Sequence, residues 1–215
     1  MLASLLLVPA AAVAGPPKAA PAAAGAEGTP APSGPAEKKD APKPVLSVGD
    51  KAPPFFLKTV NAETVGKRRV VLEEYFKDPE TKAVVISFFA TWCAPCKKEL
   101  PVLQKLYEKY GQAGLRVVVI SIDKEQEALK GLKAFVAERG LTFPVVSDRF
   151  NLLARRYLGN ATALPSLFIA DGEGRIAVMH QGYPADGDPA AFLEADVRKV
   201  MGLDAAAEGA GTEGG

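Results

Sequence analysis

The sequence predicts an α/β fold, a mixed central sheet flanked by helices, and three observations carry that expectation. Val84-Val85-Ile86-Ser87-Phe88-Phe89 and Leu115–Ile122 are almost continuously apolar and rich in β-branched residues, as strands buried on both faces are. A helical stretch at about 93–110 separates them, and strand–helix–strand implies parallel pairing through a right-handed crossover. Further on, Ser166–Ala170 and Arg175–Met179 flank the turn Asp171-Gly172-Glu173-Gly174, which reads as an antiparallel hairpin. Parallel and antiparallel pairs in one chain make the sheet mixed, with helices on both faces.

The remaining elements follow in order. Gly111 stops the first helix, and a second helix is expected at about 125–139, ended by Gly140. A short strand near Phe143–Val146 and a short helix at 148–158 come next, and a terminal helix at about 189–201 closes the domain. The helix and strand at about 124–147 form an insertion after the first βαβ unit. Residues 46–203 are read as the folded domain.

Both ends of the chain read differently. Residues 2–14 are an apolar stretch closed by Ala12-Val13-Ala14, a small-x-small cleavage pattern, so residues 1–14 are expected to be a signal peptide. No Lys or Arg precedes that stretch, which leaves an uncleaved anchor as the alternative. Residues 15–45, dominated by Pro, Ala and Gly, lack the apolar content to order themselves and are read as a linker, as 204–215 are read as a tail. Export is the expected localisation.

Charge is nearly balanced, with 26 Lys+Arg against 25 Asp+Glu, and no clustered basic surface points to nucleic acid. The two cysteines are Cys93 and Cys96, and the one histidine is His180. That count excludes a multi-disulfide scaffold and disfavours a zinc site, which takes four ligands. No cofactor or metal is expected.

The chemistry concentrates in Thr91-Trp92-Cys93-Ala94-Pro95-Cys96-Lys97, where a buried strand becomes a helix. A helix N-terminus carries unpaired N–H groups and a partial positive charge, which favour a thiolate at Cys93. Cys96 lies three residues on, on the same side of the helix and within disulfide reach. It can therefore resolve a mixed disulfide formed by Cys93. Pro95 suits the first helical turn. The rival readings of this spacing fit less well. Zinc wants a second pair of cysteines, and haem attachment wants a histidine where Lys97 stands.

Helical arithmetic at about 100° per residue puts Leu100, Leu103, Leu106, Tyr107 and Tyr110 in one arc. Lys97, Lys98, Gln104, Lys105, Glu108 and Lys109 fall in the opposite half. Glu99 falls inside the apolar arc near Cys96. A carboxylate held there would be partly desolvated and able to exchange protons with the thiols. Alternatively it bends out to solvent, since Pro101 loosens the helix just after it. Pro165, in Ala163-Leu164-Pro165-Ser166, opens a strand, where a cis peptide bond is allowed but not dictated.

Taken together, Trp92-Cys93-Ala94-Pro95-Cys96-Lys97, Pro101 and Pro165 resemble the thioredoxin superfamily. Val48-Gly49-Asp50-Lys51-Ala52-Pro53, Lys97-Lys98-Glu99-Leu100-Pro101 and the insertion resemble its TlpA/ResA-like branch of exported or membrane-tethered thiol–disulfide oxidoreductases. The resemblance implies a thioredoxin-like fold, a place in a bacterial periplasm or cell envelope, and several roles. Cys93 becomes the exposed attacking thiol and Cys96 the buried resolving one. Pro165 becomes a cis-proline facing their redox-active disulfide, with Leu164, Trp92 and Pro95 contacting substrate, and Glu99 an active-site carboxylate. Ser87 stands where ordinary thioredoxins carry a buried Asp. Pro95, placed before the second cysteine as in reducing members, implies a reductase of protein disulfides, with apocytochrome c among the family's substrates. The same resemblance implies a membrane-bound thiol donor, and the chain is expected to be a monomer. Two rivals remain. A thiol peroxidase would need Pro-x-x-x-Thr-x-x-Cys, which counting back from either cysteine does not give. A copper(I) chaperone would use both thiols with His180.

Overall fold

The computed structural model describes residues 45–124, 126–160, 163–182 and 189–204. The signal peptide expected at 1–14 lies outside them, as do all of the linker but its last residue and all of the tail but its first.

Five strands build the central sheet: β3 (Ala83–Phe89), β4 (Leu115–Ser121), β5 (Val145–Ser147), β6 (Ser166–Asp171) and β7 (Ile176–Gln181). They lie in the order β5-β4-β3-β6-β7. β3, β4 and β5 are parallel, while β6 runs antiparallel to β3 and β7 antiparallel to β6. Every residue of β3 is buried, which explains its unbroken apolar run. The helices between them are α3 (Ala94–Tyr110), α4 (Gln126–Glu138) and α5 (Leu152–Leu158), and α6 (Pro189–Val200) follows β7.

Alternation along β3 sends neighbouring side chains to opposite faces. Phe89 stacks on Phe135 of α4, with centroids 5.9 Å apart. Phe88 turns the other way, into a cluster with Tyr157 of α5 and Phe168 of β6, at 5.2 and 6.1 Å. The Tyr157 hydroxyl escapes that apolar cluster by donating to the Pro53 carbonyl at 2.8 Å. On the first face α6 is tied to the end of α3, where Lys109 Nζ and Tyr110 Oη both reach Glu194 Oε1 at 2.6 Å.

Before the sheet come four short elements that periodicity did not reveal: β1 (Phe56–Lys58), α1 (Ala62–Val65), β2 (Arg69–Val71) and α2 (Leu72–Lys77). Strands of three residues carry no readable alternation, and tertiary hydrogen bonds hold them. Buried Asn61 donates to the Leu141 and Phe143 carbonyls and accepts from Val145 N–H, all within 2.9–3.1 Å. Thr59 bridges Val146, which clips β1 onto the β5 edge.

Three expectations need correction. The helix placed at 148–158 begins only at Leu152, because Asn151 before it has a left-handed backbone. The strand placed at Phe143–Val146 is Val145–Ser147, because Pro144 has no N–H for the ladder; Phe143 instead packs edge-on against Tyr107 at 6.0 Å. Gln104, assigned to the polar half of α3, is buried. Its amide donates to Thr142 Oγ1 at 2.8 Å and accepts from Thr142 N–H at 3.0 Å.

Candidate active site

The C-terminal ends of β3, β4 and β5 and the N-terminal end of β6 converge on one end of the sheet. There β3 gives way to α3 through Ala90-Thr91-Trp92-Cys93. Cys93 is the N-cap, with extended backbone, and its Sγ accepts from Cys96 N–H at 3.2 Å. Pro95 sits in the first turn, where its missing N–H leaves nothing unpaired. Cys93 and Cys96 are joined in a disulfide, with Cα atoms 5.3 Å apart. The exposed thiol expected at Cys93 is largely covered in this oxidised form: Cys93 is 5 % exposed and Cys96 1 %. Trp92 beside them stands out into solvent, 68 % exposed.

One turn into α3, Glu99 points inward at 1 % exposure. Its Oε1 accepts from the Ser87 hydroxyl of β3 at 2.5 Å, and Ser87 itself is fully buried. The alternative in which Glu99 bends out to solvent is therefore set aside. α3 continues through Pro101 without ending, so the apolar arc extends over the whole helix.

Pro165 follows Leu164 through a cis peptide bond. Its place follows from the register of β3 with β6. Phe88 is opposite Ser166, so Pro165 sits beside the last residues of β3, on the approach to Cys93. Pro165 is buried and Leu164 partly so; the Pro165 carbonyl accepts from Gly182 N–H at 2.7 Å.

Sequence reasoning missed Asp123, which is fully buried just past β4. Its carboxylate accepts from Thr91 N–H at 3.1 Å, Thr91 Oγ1 at 2.9 Å and Ser121 Oγ at 2.8 Å. It thus holds the residue two before Cys93 against the neighbouring strand. The signal was a lone acid closing the apolar run Ile120-Ser121-Ile122-Asp123. His180 lies within β7 and not beyond it. It is partly buried, with Nε2 2.7 Å from Asp196 Oδ2 of α6 and its ring 5.0 Å from Phe192. Among the described residues no group of three His, Cys, Asp or Glu side chains is placed to hold a metal ion.

A mixed sheet of this order, with a disulfide closed at the N-terminus of the helix after its central strand, is the architecture of a thioredoxin-like thiol–disulfide oxidoreductase. A sequence model of the AhpC/TSA family matches residues 48–179, and the chain belongs to that family. It is 35 % identical over 138 residues to the thiol-disulfide oxidoreductase ResA of Oceanobacillus iheyensis, covering 64 % of this chain and 67 % of that one. It is 32 % identical over 137 residues to the thioredoxin-like protein YneN of Bacillus subtilis, covering 64 % and 73 %. Among solved structures, a putative thiol:disulfide interchange protein DsbE from Chlorobium tepidum superposes with a TM-score of 0.61 at 25 % identity, over 73 % of this chain and 99 % of that one. The chain is a thiol–disulfide oxidoreductase of this ResA-like type.

Proposed function

We propose that the chain reduces disulfides of proteins in the bacterial envelope through Cys93 and Cys96. The observation that carries the reading is the disulfide itself, closed at the first turn of α3 with Cys93 as N-cap. In the reduced enzyme the helix N-terminus favours a thiolate at Cys93. That thiolate attacks one sulfur of a substrate disulfide, forms a mixed disulfide and expels the other substrate sulfur as a thiolate. Cys96, as thiolate, then attacks Cys93 Sγ. The Cys93–Cys96 bond closes, the second substrate thiolate leaves, and two electrons have passed to the substrate. A membrane-bound thiol donor returns two electrons to reopen the disulfide.

Other side chains take supporting parts. Glu99, buried below Cys96, exchanges protons with the thiols as they form and release. Leu164 and Pro165 offer backbone groups to a bound peptide, and exposed Trp92 and Pro95 flank the approach. Substrates are protein disulfides, with the Cys pairs of apocytochrome c before haem attachment as a specific candidate. Export follows from the apolar stretch and Ala12-Val13-Ala14 near the N-terminus; among the described residues no helix is long and apolar enough to cross a membrane. The domain limits 46–203 belong to the same reading.

Trapping tests it. Cys96→Ser expressed in the source cell accumulates mixed disulfides through Cys93, and Cys93→Ser accumulates none. Faster alkylation of Cys96 than of Cys93 in the reduced protein would reverse the two roles.

A further inference from the structure

A second surface lies at the same end of the sheet as the disulfide. β5 is two strands from β3, about 10 Å away at ordinary strand spacing, and the segment leaving β5 carries Phe150 and Leu152. With Phe56 of β1 they are among the most exposed large apolar side chains, at 69 %, 61 % and 60 %. They line a groove of about 510 Å3 between β1 and the start of α5. A single exposed leucine means little, but a cluster of two aromatic residues and a leucine around one groove marks a contact surface.

The turn that holds Phe150 in water is fixed. Asn151 has a left-handed backbone, φ 53°, which an asparagine tolerates better than most residues. Asp148, buried, accepts from Leu152 N–H at 3.0 Å and Ala154 N–H at 2.7 Å, and its carbonyl accepts from Asn151 N–H at 2.8 Å. The Asn151 side-chain amide, oriented as its neighbours require, donates to the Ile122 carbonyl at 3.2 Å. Ile122 directly precedes Asp123, which holds Thr91. The Phe150 turn and the Cys93 turn are therefore braced on one loop, and Phe150 is presented to solvent before any partner arrives.

The groove's own lining is one-sided in charge, while Glu73 and Lys77 stand together on the other side of Phe56. Lys58, Arg149 and Arg156 line the groove, and its one acid, Asp148, is spent on backbone amides. The Arg69 guanidinium lies 5.3 Å from the Phe56 ring centroid and that of Arg149 5.6 Å from Phe150. A chain whose formal net charge is +1 thus gathers four cations about three apolar side chains.

We infer that Phe56, Phe150 and Leu152, rimmed by Lys58, Arg69, Arg149 and Arg156, dock an acidic, apolar segment of the protein whose disulfide is reduced. This rests on Cys93 and Cys96 being the reacting pair. The occupant follows from charge complementarity: carboxylates meet the rim while an aliphatic or aromatic side chain fills the groove. Docking there holds the substrate beside the disulfide and lowers KM without touching the chemistry.

Direct binding needs no reaction, so it separates this surface from the roles of the cysteines. The probe is a fluorescent peptide alternating Glu with Leu and Phe, titrated with the full chain and read by anisotropy. The peptide with Lys for Glu serves as control. The acidic peptide binds at least about tenfold more tightly than the basic one, and added salt weakens it. Phe150→Ser and the double variant Arg149→Glu/Arg156→Glu each weaken it about tenfold or more. The same variants reduce a small disulfide without that extension at the wild-type rate, which shows that they are folded. With the peptide fused to that disulfide, their KM rises and kcat holds. Equal binding of acidic and basic peptides, or indifference to both variants, overturns the inference. So does concentration-dependent self-association that Phe150→Ser abolishes, since a second copy then covers the face.

Discussion

Ser87 of β3 and Glu99 of α3 meet under the disulfide: the hydroxyl donates to the carboxyl at 2.5 Å, and neither residue is more than 1 % exposed. Burial favours the neutral form of a carboxyl, while a donated hydrogen bond favours the ionised form. An ionised Glu99 three residues from Cys96 opposes formation of thiolates. Glu99→Gln removes that opposition, so the apparent pKa of Cys93 falls and the pH profile of disulfide reduction shifts to lower pH. Ser87→Ala weakens the ionised form and shifts both curves the same way by less. Alkylation rates against pH for the three proteins decide the matter, and superimposable curves would remove Glu99 from the proton traffic. Groups this close titrate as a cluster, so the comparison is between whole curves.

Asp123 is predicted to set the position of the turn before Cys93. Asp123→Ala leaves Thr91 N–H, Thr91 Oγ1 and Ser121 Oγ without their acceptor. A buried donor left unpaired costs about 1–3 kcal/mol, so thermal unfolding moves down by several degrees. Disulfide reduction slows beyond what the lost stability explains when both are measured well below the transition. Unchanged melting and unchanged rate would mean that water replaces the carboxylate at no cost.

Asp148 gives a pH dependence of stability. Burial raises its pKa, and the amides of Ala154 and Leu152 pull it only part of the way back. The folded chain therefore keeps this proton to a higher pH than the unfolded chain, whose value is about 3.9. The stabilisation is complete below that value and is lost as pH rises through the folded value. Asp148→Asn abolishes this dependence. The melting temperature of wild type relative to the variant falls as pH increases from about 4. A constant difference across that range would show that burial does not govern this carboxyl.

Gly114 turns α3 into β4 with φ +110°, and a Cβ there would stand 2.3 Å from the Glu80 carbonyl oxygen. Gly114→Ala is both strained and overpacked. A loss of about 1–3 kcal/mol in denaturant unfolding is expected, with the disulfide chemistry intact in the folded fraction.

The sequence was informative where burial is two-sided or periodic. β3 and β4 were readable because all their residues except half-buried Arg116 are buried, and α3 because its apolar arc returns turn after turn. Cys93 and Cys96 were legible for the same reason, since their spacing on one helix fixes their relative positions, whereas Glu99 stood between core and solvent until Ser87 was placed beside it. The unread parts depend on distant partners. Asn61 draws its meaning from carbonyls some eighty residues away, at Leu141 and Phe143. Asp123 matters through Thr91, on another strand-end loop, and Gln104 through Thr142. Phe150 looked like an ordinary helix residue, because nothing local announces that Asn151 turns the backbone left-handed and leaves the ring in water.

The pairing of Gly49–Ala52 with the β6–β7 turn has a consequence for handling the protein. Gly49 and Ala52 donate to the carbonyls of Ile176 and Gly174 at 2.8 and 2.9 Å, and that turn is at the far end of β6 from Pro165. Gly49–Ala52 is therefore held at the pole remote from the disulfide. A label fixed on Lys51 or Glu173, both exposed at that turn, stands at the opposite end of the sheet from Cys93 and Cys96, and the reactive pole is left clear for a partner as large as a folded protein.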